Sequence, residues 1–156
     1  MPNPGALHRA LGRAISEIFA NRVHRRMFGD VWDWAGTYRK SDKNIGCPFH
    51  EIPTRMRELF DEAEFWIANR TYRPDELAVR LKHWLVVIHP YANGNGRHSR
   101  MMGDLTLSQM TGERFSWGGG RRDRGERSEA IRRDYIAALR SADGHDLGPL
   151  LAFARS

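Results

Sequence analysis

Apolar residues recur every three or four positions at the start of the chain. Leu7, Leu11, Ile15, Ile18, Phe19, Val23 and Met27 predict one amphipathic helix over residues 6–28, closed near Gly29. The period then vanishes across "VWDWAGTYRKSDKNIGCPFHEIP", where aromatic residues flank "SDKN", Gly46 and Pro48. That composition predicts extended segments around a turn, an irregular or hairpin insert near residues 36–50, lying over the helices because two strands alone form no core. Helical spacing returns at Pro53 with Met56, Leu59, Phe60, Ala63, Trp66 and Ile67. "RTYRPDE" interrupts it, and Pro74 opens a further helix carrying Leu77, Leu81, Trp84, Leu85, Val87 and Ile88. This helix is apolar on nearly all sides towards its end, as the buried centre of a helical domain is. It runs into His89-Pro90, where proline forbids a smooth continuation.

Beyond that point "RHSRMMGDLTLSQM" predicts a helix with Met101, Met102 and Leu105 inward, and "TGERFSWGGGRRDRGER" a loop. Ile131, Tyr135, Ala138 and Leu139 mark one more helix, and Leu147, Leu150, Leu151 and Phe153 a short last one. No repeat or composition break divides the chain. The expectation is a single, mostly α domain over residues 1–156 with one irregular or hairpin insert.

Composition narrows the classes. The 156 residues are enough for a core without staples, and the single cysteine, Cys47, excludes an intrachain disulfide and a cysteine-built zinc cage. The longest apolar run, "WLVVIHP", is far too short to span a membrane, and "MPNPGALHRA" lacks the layout of a secretory signal, so a cytoplasmic setting is the default. A net charge of +6 and a pI near 10.1 point to an anionic partner: nucleic acid, nucleotide phosphates or an acidic protein surface. A solvated basic face explains the charge equally well.

The densest chemistry is "HPYANGNGRHSR", His89 to Arg100. Glycine–X–glycine at a helix start lets the backbone N–H groups of Gly94, Asn95 and Gly96 converge where the helix dipole also favours an anion. Arg97 and Arg100, three apart, project from the first turn, and guanidinium forks suit phosphate oxygens. Asn95 offers an amide donor between the glycines, and Asn93 a neutral oxygen for a metal ion bridging phosphates. His89 stands where an imidazole takes a proton from an attacking hydroxyl. Each has a plainer alternative: a helix-capping histidine, a glycine turn, a solvated arginine pair. The glycine spacing fits neither a Walker A loop nor a dinucleotide fingerprint.

The same stretch resembles the signature loop of the Fic family, H-x-F-x-(D/E)-G-N-G-R-x-x-R. The resemblance runs from about Val23 to Phe153, through "MFGDVWDWAGTYRKSDKNIG". It is nearest the bacterial branch called mobile mystery protein B, on "HRRMFGDVW", "KNIG", "NGNGRHSR" and "FSWGG". It implies a helical core over about residues 23–154 with a β-hairpin flap. It also implies transfer of AMP from ATP-Mg²⁺ to a Ser, Thr or Tyr hydroxyl of a protein substrate. On this resemblance His89 is the general base, and Gly94, Asn95, Gly96, Arg97 and Arg100 hold the phosphates. Position 93 helps to bind Mg²⁺, and Lys43, Asn44, Ile45 and Gly46 belong to a flap that receives the target by strand-like pairing.

Two residues depart from the family pattern: Tyr91 stands for phenylalanine, and Asn93 for the acidic residue that contacts the metal. The inhibitory motif [S/T]-x-x-x-E-[G/N] has no intact match. The nearest, "SEIFAN" (Ser16–Asn21), has Ala20 in place of glutamate, so the expected brake is a separate antitoxin-type protein or a preceding segment. Alternatives to AMP transfer are a Fic-type phosphotransferase, a nucleotide-binding protein without catalysis, and a nucleic-acid module using "GGGRRDRGER". The last is disfavoured because Asp123 and Glu126 interrupt the basic run.

Overall fold

Ser16 starts the first helix. Its backbone is extended and its Oγ accepts the Phe19 N–H at 3.1 Å, so α1 spans Glu17–Phe28 with a hydroxyl cap. The computed structural model describes residues 15–156. The predicted continuous helix over 6–28 is therefore interrupted at this cap, and its portion before residue 15 lies outside the described residues. Ile18, expected inward, is exposed.

α2 (Ile52–Asn69) follows a 3-10 turn at Phe49–Glu51, with Pro53 in its first turn, where the missing N–H costs nothing. α3 (Pro74–Ile88) and α4 (Asn95–Thr111) form the closest-packed pair. The run expected as a loop contains a short helix, α5 (Gly119–Asp123), and the two predicted C-terminal helices are α6 (Ser128–Asp143) and α7 (Gly148–Ala154).

α3 divides the core. Leu77, Leu81, Leu85 and Ile88 pack with α1 and α2, whereas Ala78 and Val79 pack with Leu107, α6 and α7. Removing Leu81 to alanine would cost about 2–5 kcal/mol, as a buried large-to-small change does. One face of α3 is nevertheless uncovered, since Trp84 is 39% exposed. Its apolar pattern predicts burial all round, but no described element lies over that face. Met101 is likewise exposed on α4, while Met102 is buried as expected.

The hairpin expected near residues 36–50 carries no β-ladder; among the described residues no strand forms at all. The segment is an irregular loop tied down by a side chain. Arg39, nearly fully buried, donates from Nε to the His89 carbonyl (2.7 Å), from Nη1 to Ser41 O (2.9 Å) and from Nη2 to the carbonyls of Cys47 and Ile88. Two backbone bonds assist, Arg39 N–H to Pro90 O and Cys47 N–H to Ile88 O. The loop's donors thus go to the last carbonyls of α3, which need partners at a helix end, rather than across a second strand.

Candidate active site

The His89–Arg100 loop lies between the end of α3 and the start of α4. His89 is the residue that ends α3, left-handed at φ 53°, ψ 62°. Its ring is half-buried, and burial first, then the charges of Arg39 and Lys43, lower its pKa from the ordinary histidine value. The neutral imidazole is the form a general base needs. Gly46, at φ +94°, lies against this residue: a Cβ there would meet the His89 Cβ at 2.7 Å and the Ile88 carbonyl at 2.9 Å. The loop that supplies Lys43, Asn44, Ile45 and Gly46 therefore reaches the histidine only because position 46 has no side chain.

The loop is held from beneath. Tyr91 is completely buried, its hydroxyl donates to Asn21 Oδ1 (2.7 Å), and its ring stacks on His24 at 3.7 Å between centroids. The phenol that replaces phenylalanine thus has a partner, as a buried hydroxyl requires. His24 accepts the Gly36 N–H on Nδ1 (2.9 Å), so Nε2 carries the proton and donates to the Asn93 carbonyl (3.0 Å). His98 donates from Nε2 to the Ala20 carbonyl (2.8 Å) and packs edge-on against Tyr91.

Asn95 corrects the expectation of a side-chain donor for the anion. Its Oδ1 accepts the Tyr91 N–H (2.9 Å) and its Nδ2 donates to the Tyr91 carbonyl (2.8 Å), so the amide clamps the loop and faces inward. Its contribution to an anion is its backbone N–H alone. The first α4 amide to pair is that of His98, on the Gly94 carbonyl (2.9 Å). The N–H groups of Asn95, Gly96 and Arg97 therefore have no intrahelical partner, at the positive end of a helix dipole. Gly94, at φ +79°, is pressed on Phe28, where a Cβ would meet ring atoms at 2.6 Å. Gly96 differs: a Cβ there meets no protein atom within 4 Å.

The two arginines part. The Arg97 guanidinium lies over Phe28 at 4.7 Å, and that of Arg100 over Tyr135 at 4.6 Å and Trp117 at 5.6 Å. Neither has a carboxylate within ion-pair distance among the described residues. Arg100 also lines a cavity of about 450 Å³ with Trp117, Arg122, Ile131, Arg132 and Tyr135. Sequence reasoning missed this aromatic wall, because the residues lie in a segment without period and on a helix read only for its core positions. It also missed Arg39, His24 and Asn21, which carry no local signal. Beneath the wall Lys82, fully buried, donates to the Tyr135 hydroxyl, and burial with the Arg100 charge lowers its pKa to about 7.

A metal finds little protein ligation. Asn93 Oδ1 accepts the Gly94 N–H at 2.6 Å, leaving the amide oxygen a second lone pair. No group of three His, Cys, Asp or Glu side chains suited to a metal occurs among the described residues. Mg²⁺ is usually held by one or two carboxylates together with substrate phosphates, so the neutral Asn93 amide offers it less charge than such a site does.

Fold and loop together define a helical protein with unpaired N–H groups at a helix N-terminus, preceded by a histidine of lowered pKa and flanked by two arginines without a carboxylate partner among the described residues. The chain belongs to the Fic/DOC family, whose model matches residues 14–107. It is 31% identical over 89 residues to "Protein adenylyltransferase Fic" of Aedes aegypti, covering 54% of this chain and 18% of that protein. It is 28% identical over 106 residues to "Probable protein adenylyltransferase Fic" of Salmonella typhimurium, covering 62% of this chain and 52% of the relative. The chain thus spans at most about half the length of these relatives. In three dimensions a Fic family protein from Desulfovibrio desulfuricans superposes with a TM-score of 0.69 at 24% identity, over 97% of this chain and 47% of that one.

Proposed function

We propose that the chain transfers AMP from ATP to a hydroxyl side chain of a protein substrate, releasing pyrophosphate. The hydroxyl oxygen attacks the α-phosphorus, His89 takes its proton, and the bond from the α-phosphorus to the bridging oxygen of the β-phosphate breaks. The N–H groups of Asn95, Gly96 and Arg97 hold the phosphate oxygens, and Arg97 and Arg100 meet the developing charge on the leaving group. The nucleoside end enters the cavity beyond Arg100, which Trp117 and Tyr135 line. Mg²⁺, when bound with the nucleotide, would supply charge neutralisation, with Asn93 Oδ1 as its candidate protein ligand.

The observation that carries this reading is Gly96. No packing requires a glycine there, yet a glycine stands beside three unpaired N–H groups, as a site that admits a phosphate needs. The curated relatives named adenylyltransferases support the reaction type. Arg100, which has no carboxylate partner among the described residues, is where an acidic group from a separate antitoxin-type inhibitor would bind.

Labelled ATP tests the proposal. The protein is incubated with Mg²⁺, cell lysate and ATP labelled at the α- or the γ-phosphate, beside His89→Ala. Label on protein from the α position alone, lost in the variant, is expected. Label from the γ position alone would identify a phosphotransferase. Nucleotide binding with no label from either would favour a non-catalytic protein, a reading that the neutral Asn93 supports.

A further inference from the structure

The face of α3 left without cover has a defined shape. Arg80, His83, Trp84 and Val87 follow one another at i, i+3, i+4 and i+7, a stripe about 10 Å long along the helix axis. They line a groove of about 610 Å³ that is walled on one side by the end of α6 and the loop after it, and on the other by Asn44, Ile45 and Gly46. Its apolar surface is solvent-facing: Ile45 is 60% exposed, and Val87 and Leu147 are only partly covered. Its polar floor is internally satisfied, since the His83 ring bonds Asp143 Oδ1 at 2.8 Å and Arg80 pairs with Glu76 at 2.9 Å. The groove therefore offers apolar surface without an unmet charge, and a volume within the range of ligand pockets.

Its position supplies the occupant. Gly46, which lines the groove, also abuts His89, so the groove and the candidate base are neighbours across this one residue. Among the described residues, no backbone N–H from residue 40 to residue 46 donates to another backbone group. An extended chain laid on this edge thus finds free backbone groups on one side and Ile45, Trp84 and Val87 on the other.

We propose that this groove selects the protein substrate, by taking a large apolar side chain that lies close in sequence to the hydroxyl presented to His89. The inference rests on the AMP-transfer reading and adds a sequence preference to it. The hydroxyl residue fills the site at His89, and its neighbour covers the exposed stripe of α3. Trp84 is a specificity residue in this arrangement and takes no part in holding the nucleotide.

Short synthetic peptides test it. Each carries one Tyr, Ser or Thr in a polar background, with one leucine or phenylalanine stepped along the positions on either side. Binding to the full chain is measured by fluorescence polarisation without nucleotide, and AMP incorporation with α-labelled ATP and Mg²⁺. Binding is expected to peak at one or two offsets of the apolar residue. Trp84→Ala should weaken that peak about tenfold, a loss of one decade in affinity. Trp84→Phe should restore most of it, and neither change should alter binding of a fluorescent ATP analogue. Binding indifferent to the offset, or unchanged in Trp84→Ala, overturns the proposal. So does a concentration-dependent dimer abolished by Trp84→Ala, which would assign the face to a second copy of the chain. A clear offset preference in binding, with no AMP incorporated at any offset, would sink the transfer reaction and leave the groove as a peptide-docking site.

Discussion

At the scale of single residues, two positions separate structure from function. Gly96 occupies the first turn of α4 with open space around its missing Cβ. Gly96→Ala should leave the fold intact and raise stability by up to about 0.5–1 kcal/mol, because alanine loses less backbone entropy in a helix. The same methyl stands where an anion would approach the unpaired N–H groups. Thermal melting at unchanged or higher Tm, with nucleotide binding lost, is the expected pair of results; unimpaired binding would remove the nest from the site. Arg39 makes the opposite case. Its guanidinium serves carbonyls of α3 and the loop, and its charge helps to lower the pKa of His89. Arg39→Met should cost about 1–3 kcal/mol through orphaned buried carbonyls. It should also move the His89 titration upward, towards the ordinary histidine value. Histidine NMR titration reads this directly, and an unmoved His89 signal would exclude the charge effect.

Between elements, buried imidazoles join α1 to the loop and to α4. His98 is almost inaccessible, and burial lowers its pKa to about 4 despite its bond to the Ala20 carbonyl. A folded pKa below the unfolded value means that the unfolded chain binds the extra proton first. The stabilisation is complete above about pH 6.5, the unfolded value, and is lost as pH falls through about 4. It amounts to about 3 kcal/mol, less whatever the backbone recovers by relaxing. Urea unfolding at several pH values should show this acid loss in the parent, and His98→Gln should flatten it. An equal acid slope in both would place the titration elsewhere, for instance on His24, whose pKa is also lowered. The same packing bears on inhibition. Ala20 is fully buried against α4, so Ala20→Glu would put a carboxylate into the core instead of presenting it to Arg100.

For the whole molecule, the net charge of +6 resolves into used and unused arginines. In the "GGGRRDRGER" run Arg121 is neutralised by Glu126 (2.7 Å) and Asp134 (2.6 Å). Arg100, Arg122 and Arg132 share a cavity and have no such partner among the described residues. These three guanidinium groups form one compact positive cluster beside the candidate site. Inorganic tripolyphosphate should bind, compete with ATP and weaken as salt rises. Duplex DNA should bind negligibly at physiological salt; strong, salt-sensitive DNA binding that survives His89→Ala would restore the nucleic-acid reading. No described helix is long and apolar enough to cross a membrane.

The chain by itself determined the helices and the identity of the loop. Periods of 3.6 residues and the breaks at Gly, Pro and "RTYRPDE" are local effects, and they located six of the seven helices among residues 15–156, all but the short Gly119–Asp123 turn of helix, with the first starting at Glu17 behind the Ser16 cap. His89 and the glycines were legible because a helix stop, a tight turn and a helix start must all be written in adjacent residues. Tertiary structure decided what depends on meetings between distant residues. Arg39 reaches the end of α3 across 50 positions, and so the expected hairpin became a loop sutured to His89. Asn95 turned from anion donor to clamp because Tyr91 offered it both a donor and an acceptor. The uncovered stripe of α3 reads as core in one dimension, since periodicity records which side chains are apolar but not whether another element arrives to cover them.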